Sequence, residues 1–274
     1  MREGIIIENT NTINTIESLK KDLATLGLKK GMTVIVHSSL SSIGWVCGGA
    51  VSVIKSLMDI ITEEGNIIMP AQTGDYSEPC YWGNPPVPEQ WYEIIRETMP
   101  VFDKHVTPTR GMGRIAEVFR SFPNVLRSDH PQASFTAWGK DSEYIIKVHN
   151  LEDSLGETSP LGKVYNINGY VLLLGVPYEN NTSFHLSEYK SNVRMYTELA
   201  APILENGKRV WKTFRDIDLD SEDFNSIGIE FEKNCNVSRG LVGQAESRLF
   251  HQKTSVDFAT EWFKRNRGHR NLLK

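Results

Sequence analysis

The sequence predicts a single α/β domain with a central mixed sheet flanked by helices and a smaller mixed portion towards the C-terminal end. Three observations point there. Met32–His37 (MTVIVH), Asn66–Pro70 (NIIMP) and Tyr170–Leu174 (YVLLL) are short apolar runs of the length and composition of buried strands. Stretches of helical apolar spacing lie between them, which is the strand–helix–strand order of α/β proteins. The chain has 274 residues, 39% of them hydrophobic, enough to bury a sizeable core. No internal repeat, low-complexity tract or Gly/Ser linker divides it, so residues 1–274 are expected to form one domain.

The elements follow in order. From Asn14 to Leu26, Ile16, Leu19, Leu23 and Leu26 recur at helical spacing, with Thr15 as N-cap and Gly27 and Gly31 as stops. The first strand, Met32–His37, leads to a helix over Ala50–Ile61 and then to the second strand, Asn66–Pro70. Tyr81–Pro88 is too rich in proline for regular structure and reads as an ordered loop. Pro88, Glu89 and Gln90 open a helix towards Thr98, and Met112–Phe122 reads as another. Phe135–Trp138 and Tyr170–Leu174 are further strands. After Ala200 the segments become shorter and more polar; Val210–Leu219 alternates as a β-ribbon does, and Ser255–Arg265 is an amphipathic helix.

Composition narrows the function. A net charge of −4 argues against nucleic acid or an anionic membrane as the main partner, and is compatible with a cationic small molecule. Three cysteines, Cys47, Cys80 and Cys235, form no CxxC pair, so neither a disulfide framework nor a structural zinc site is expected. The apolar run Ile5–Ile7 is too short for a signal-peptide core, and no stretch approaches the roughly 18 apolar residues of a membrane span. A cytoplasmic protein is expected.

Two segments read as anion cradles. His37-Ser38-Ser39-Leu40-Ser41-Ser42 leaves the carboxyl end of a strand for a helix, where backbone N–H groups and hydroxyls converge on ligands in α/β sheets. Thr107-Pro108-Thr109-Arg110-Gly111-Met112-Gly113 brings hydroxyls, a guanidinium and two glycines to a helix start. Neither a Walker A lysine nor GxGxxG is present, so the pair suggests a pyrophosphate-bearing ligand other than a nucleotide of those classes. A third group, Asp129-His130-Pro131, Gly156-Glu157-Thr158-Ser159-Pro160 and Phe184-His185-Leu186-Ser187-Glu188, supplies imidazoles beside carboxylates, the apparatus for removing a proton near neutral pH. His185 and Glu188 share one face if their segment is helical. A metal is not expected, because HxxE is half of a carboxylate–histidine site and no second half occurs. A Ser/His esterase or thioesterase stays open on residue types alone, although no GxSxG elbow is present. His105, His149, His251 and His269 read as ordinary polar residues.

The runs HSSLSSIGWVCGGA, MPAQT, WGNPPVPEQW, TPTRGMG, RSDHPQASFTAWG, LGETSPLGKVY, VLLLGV and FHLSEY occur in that order, and together they resemble the antibiotic N-acetyltransferase family. Its best-known members are aminoglycoside 3-N-acetyltransferases. The resemblance runs from about Leu19 to Phe263; the family is distinct from the GNAT superfamily, whose Q/RxxGxG/A loop is absent here.

The resemblance implies transfer of an acetyl group from acetyl-CoA to the 3-amine of a 2-deoxystreptamine aminoglycoside, and hence antibiotic resistance. It implies that Ser38, Ser39, Leu40 and Ser41, with His37 at the head of their loop, and Thr109, Arg110, Gly111, Met112 and Gly113 contact coenzyme A. His185 would be the catalytic base and Glu157 its orienting carboxylate, with Glu188 a second candidate. Asp75, Glu78, Glu89 and Glu93 are candidates for the acceptor's ammonium groups. Gly74–Tyr81 matches the family's acceptor side only loosely, which leaves another small amine as the alternative acceptor.

Overall fold

The structure, a computed structural model, describes residues 3–192 and 195–267. His269 lies outside them. Nine strands are present among the described residues: β1 Thr33–Ser38, β2 Asn66–Pro70, β3 Leu126–Arg127, β4 Phe135–Gly139, β5 Tyr170–Leu174, β6 Tyr196–Glu205, β7 Lys208–Ile217, β8 Ser238–Val242 and β9 Ala245–His251. Seven form one sheet in the order β3-β4-β2-β1-β5-β9-β8, and β6 with β7 forms a separate ribbon. β2, β1 and β5 run parallel at the centre, while β3, β4, β9 and β8 extend the sheet antiparallel on either side. The sheet is therefore mixed and flanked by helices, as the sequence predicts.

Burial on both faces explains why the central strands read as unbroken apolar runs. Successive side chains point to opposite faces. Val34, Val36, Leu172 and Leu174 pack with Leu19, Leu23, Val53, Ile54, Leu57, Ile115 and Phe119 from the helices Ile16–Leu26, Gly49–Ile61 and Gly113–Phe119. Ile35 and Ile68 face the other way, onto Leu161, Val164, Leu186 and Val256. On that same face Val171 and Leu173 meet Phe184, Phe224, Phe231, Phe250 and Phe263. Each such fully buried aliphatic or aromatic side chain contributes roughly 1.5–3 kcal/mol.

Local signals act where expected. Thr15 caps the Ile16–Leu26 helix: its side chain accepts from the Ser18 N–H while the Ser18 side chain accepts from the Thr15 N–H, and Gly27 closes the helix in the left-handed region at φ 111°. The helix expected over Met112–Phe122 is shorter, Gly113–Phe119. The smaller C-terminal portion is the β6–β7 ribbon, turned by Asn206 and Gly207 at φ 53° and 76°. The same C-terminal stretch also supplies β8 and β9, which complete the main sheet. β8 is polar and mostly exposed at the sheet edge, so it carries no apolar run to betray it. Among the described residues, no helix is long and apolar enough to cross a membrane.

Candidate active site

The three central strands end on one edge of the sheet, and their following loops converge there. After β1 come Ser39, Leu40 and Ser41; after β2, Gln72; after β5, Val176, Glu179, Asn180, Thr182 and His185. These residues, with His37, Ser38, Gly111, Met112, Gly113 and Arg114, line a cleft of about 670 Å³. The serine loop expected to bind an anionic ligand thus borders the cleft along with the glycines of the second loop. Gly111 and Gly113 sit at φ +74° and +80°, a conformation that L side chains rarely adopt.

Thr109 and Arg110 stand apart from that lining. The Thr109 N–H and hydroxyl both donate to Glu117 Oε2, at 2.8 and 2.7 Å. Glu117 is held in turn by Arg120, whose Nε and Nη2 lie 2.9 and 2.6 Å from Oε1. Burial would raise the Glu117 pKa, but Arg120 and the Thr109 donors outweigh it and hold the carboxyl at about 2. Thr109 therefore anchors its loop, and its hydroxyl is committed. Arg110 is half exposed at the rim, 3.7 Å from Asp75 Oδ2, with its backbone N–H on Gln72 O.

His185 belongs to the Ser183–Lys190 helix, which follows β5 after residues 175–182 and their single helical turn Tyr178–Asn180. Its Nδ1 lies 2.6 Å from Glu188 Oε2; the two side chains are 14% and 4% exposed. A hydrogen on Nδ1 donated to the carboxylate leaves the imidazole lone pair on Nε2, the ring atom opposite Glu188. Phe224 lies against the ring, centroid to centroid 4.7 Å. Glu157, expected as the orienting carboxylate, does not take that place. It is 70% exposed and bound to Lys190 Nζ at 3.0 Å. The carboxylate on the imidazole comes instead from Glu188, one turn along the same helix.

His37, although buried, belongs to the cleft wall, its Nε2 3.4 Å from the Thr182 hydroxyl. Burial lowers its pKa to about 3, so it is neutral. His130 is buried and His149 half-buried, 4.7 Å apart between ring centroids. His130 Nδ1 accepts the N–H groups of Gln132 and Ala133, and His149 bridges Ser128 Oγ and the Ser154 carbonyl. Burial lowers these two pKa values to about 4 and 3. His130, grouped by sequence with the proton-transfer residues, thus serves the backbone of its own turn.

The expected acceptor carboxylates are not assembled in the cleft. Glu78 is clamped by Arg96, with Nε 3.1 Å from both oxygens. Burial opposes this, yet the Arg96 bonds keep the Glu78 pKa below its usual value. Asp75 pairs with Arg110 at the rim, and Glu89 and Glu93 project into solvent from the short helical segments Glu89–Trp91 and Tyr92–Thr98. The acidic side chain that does line the cleft is Glu179. It follows the carboxyl end of β5, the position rule already applied to the serine loop after β1, which extends equally to Gln72 and Thr182.

Ser159 is fully buried. Its hydroxyl donates to Gly156 O and accepts from Leu161 N, capping the Pro160–Asn166 helix. It serves as a cap and is closed to a substrate carbonyl. Among the described residues, no group of three or more His, Cys, Asp or Glu side chains is placed to hold a metal ion.

Known proteins resemble the chain along nearly its whole length. The family profile described as aminoglycoside 3-N-acetyltransferase matches residues 35–264. The chain is 53% identical over 270 residues to the SPbeta prophage-derived aminoglycoside N(3')-acetyltransferase-like protein YokD of Bacillus subtilis, covering 98% of this chain and 99% of that protein. Among solved structures it is similar to AAC-IIIb in its binary complex with CoASH, at TM-score 0.83 and 29% identity over 93% of this chain and 97% of that one. It is also similar to AAC-VIa bound to sisomicin, at TM-score 0.84 and 27% identity over 93% and 99% of the two chains.

Proposed function

The chain belongs to the aminoglycoside 3-N-acetyltransferase family, and from that premise we propose that it moves the acetyl group of acetyl-CoA to the 3-amine of an aminoglycoside, with His185 as general base. The observation that carries the reading is the 2.6 Å contact of His185 Nδ1 with Glu188 Oε2 at the wall of a cleft bordered by both loops. The binding of CoASH by AAC-IIIb and of sisomicin by AAC-VIa supports the two substrates.

In this reading the serine loop and the Gly111–Gly113 backbone bind the coenzyme. An aminoglycoside amine is mostly protonated near neutral pH and cannot attack until its lone pair is released. The ammonium first loses one proton to solvent; the free amine then attacks the thioester carbonyl while His185 Nε2 takes a second proton from the nitrogen, a C–N bond forms, the C–S bond breaks, and the imidazolium passes that proton to the departing thiolate. Glu188 stabilises the imidazolium and fixes the ring's tautomer. Such acid–base help is worth roughly 10²–10⁴-fold. With Ser159 buried as a cap, direct attack by the amine is preferred to an acetyl-enzyme. The cell compartment fits the cytoplasm, where acetyl-CoA is found.

The acceptor is tested apart from the coenzyme: Glu78 is committed to Arg96, and among the described residues Glu179 is the acidic side chain in the lining. Release of CoA thiol from acetyl-CoA, followed with a panel of 2-deoxystreptamine aminoglycosides and a blank without acceptor, tests it. Acceptor-dependent release is expected. Release in the blank alone would replace the transferase with a thioesterase, and release only with other small amines would replace the acceptor.

A further inference from the structure

We propose that Arg267 is a positioning residue for the His185–Glu188 pair, acting through Glu188; the inference rests on the reading of His185 as general base. Arg267 follows directly on the Gln252–Asn266 helix, which packs along the Ser183–Lys190 helix through the Ser187 hydroxyl on Val256 O at 3.0 Å. The Arg267 side chain is 12% exposed. Its Nη1 donates to Glu188 Oε1 at 2.7 Å, its Nε to Asp223 Oδ2 at 2.9 Å, and its Nη2 to the Asp220 carbonyl at 2.9 Å. The guanidinium also lies 4.3 Å over the Phe263 ring.

The two oxygens of Glu188 are thereby divided. Oε2 serves the imidazole. Oε1 accepts from Arg267 and from the Asp220 N–H at 3.1 Å. Two donors on one oxygen fix the carboxylate plane and turn the other oxygen to His185. A carboxylate only 4% exposed is costly without a cation beside it. Stripped of one, it would swing away or take up a proton, and a neutral Glu188 cannot stabilise an imidazolium.

The cation is itself secured. Burial works against the Arg267 charge, but its bonds to Asp223 and Glu188 prevail and raise its pKa. Three partners in three directions suit a planar guanidinium fork, and a lysine ammonium could satisfy the Glu188 contact without the rest. The charged groups around the pair are Glu188, Asp220, Asp223 and Arg267, with the Lys190–Glu157 pair at the end of the same helix.

The test reads the geometry and the rate separately. A short Nδ1–H···O bond gives a downfield proton resonance in the ¹H NMR spectrum, assigned by its loss in His185→Gln. In Arg267→Met that resonance is expected to vanish or move, with kcat down about ten-fold or more and one equivalent of acetyl-CoA still bound. Arg267→Lys is expected to bring back the resonance and most of the rate. A methionine variant that keeps both the resonance and the wild-type kcat overturns the proposal, as does a lower kcat with the resonance unmoved, or a wild-type spectrum with no His185-dependent signal. Should Arg267→Met fail to fold, Arg267→Gln is put to the same two measurements. Full turnover by His185→Gln would remove the general-base reading alone, since the resonance still decides what Arg267 holds.

Discussion

His185 and Glu188 stand three residues apart on one short helix, and their side chains meet at 2.6 Å, Nδ1 to Oε2. A spacing of three places side chains over one another on a helix face, so a single turn of backbone sets the whole contact. The pair needs no loop to bring it together, and the carboxylate is nearly closed to water.

The two glutamates near this chemistry should separate cleanly. On the proposed mechanism Glu188→Gln removes the charge beside the imidazole and should lower kcat by one to two orders of magnitude, part of the roughly 10²–10⁴-fold expected of a general base. Glu157→Gln breaks an exposed pair with Lys190, worth about 0–1 kcal/mol, and should leave kcat within about two-fold. Steady-state thiol release on both variants checks this; equal losses would put Glu157 back beside the imidazole.

Ser159→Ala should cost stability and spare the rate. The hydroxyl caps a buried helix start, and loss of such a cap costs about 0.5–2 kcal/mol. Urea unfolding should show a lower midpoint while kcat holds. A variant that folds normally and does not turn over would restore serine to the mechanism.

Glu117 should matter to coenzyme affinity although it lies behind the cleft. It holds the Thr109 N–H and hydroxyl and is braced by Arg120. Glu117→Ala frees the loop that carries Gly111 and Gly113, and a several-fold higher KM for acetyl-CoA is expected with kcat little changed. Gly113→Ala, at φ +80°, should act in the same direction through backbone strain of about 1–2 kcal/mol. An unchanged KM in both would take this loop out of coenzyme binding.

Stability should fall on acidification before the carboxylates titrate. His37 and His130 are buried and His149 half-buried, and their native pKa values are about 3, 4 and 3, against an unfolded value of 6.5. Between those limits the unfolded chain binds more protons, so their contribution is complete above pH 6.5 and is lost as the pH falls towards 3. Each can contribute a slope approaching about 1.4 kcal/mol per pH unit. Urea midpoints at pH 7, 6 and 5 should decline steadily; a flat profile would mean these rings reach solvent in the folded state.

Parts of this molecule are legible in a single line of sequence because their causes are local. β2 and β5 are found at their own boundaries, since burial on both faces demands an uninterrupted apolar run. Thr15, Ser18 and Gly27 bracket their helix with bonds that span a few residues. The Ser183–Lys190 helix is less visible: Ser183, Phe184, Leu186, Ser187, Glu188 and Tyr189 are all buried, so no apolar stripe stands against a polar face. β8 and β9 escape notice because their pairing partners lie far along the chain and β8 is exposed.

The sequence by itself determined the fold class and the family, through ordered motifs, and it set His185 and Glu188 three residues apart. Only the tertiary structure decided which carboxylate serves that histidine. It turned Glu157 outward to Lys190, tied Glu78 to Arg96 and Thr109 to Glu117, and brought Arg267 across 79 positions to Glu188. The physical reason is that a charge finds its partner by proximity in the folded molecule. In a buried setting the partner must be there, and its place along the chain carries no record of it.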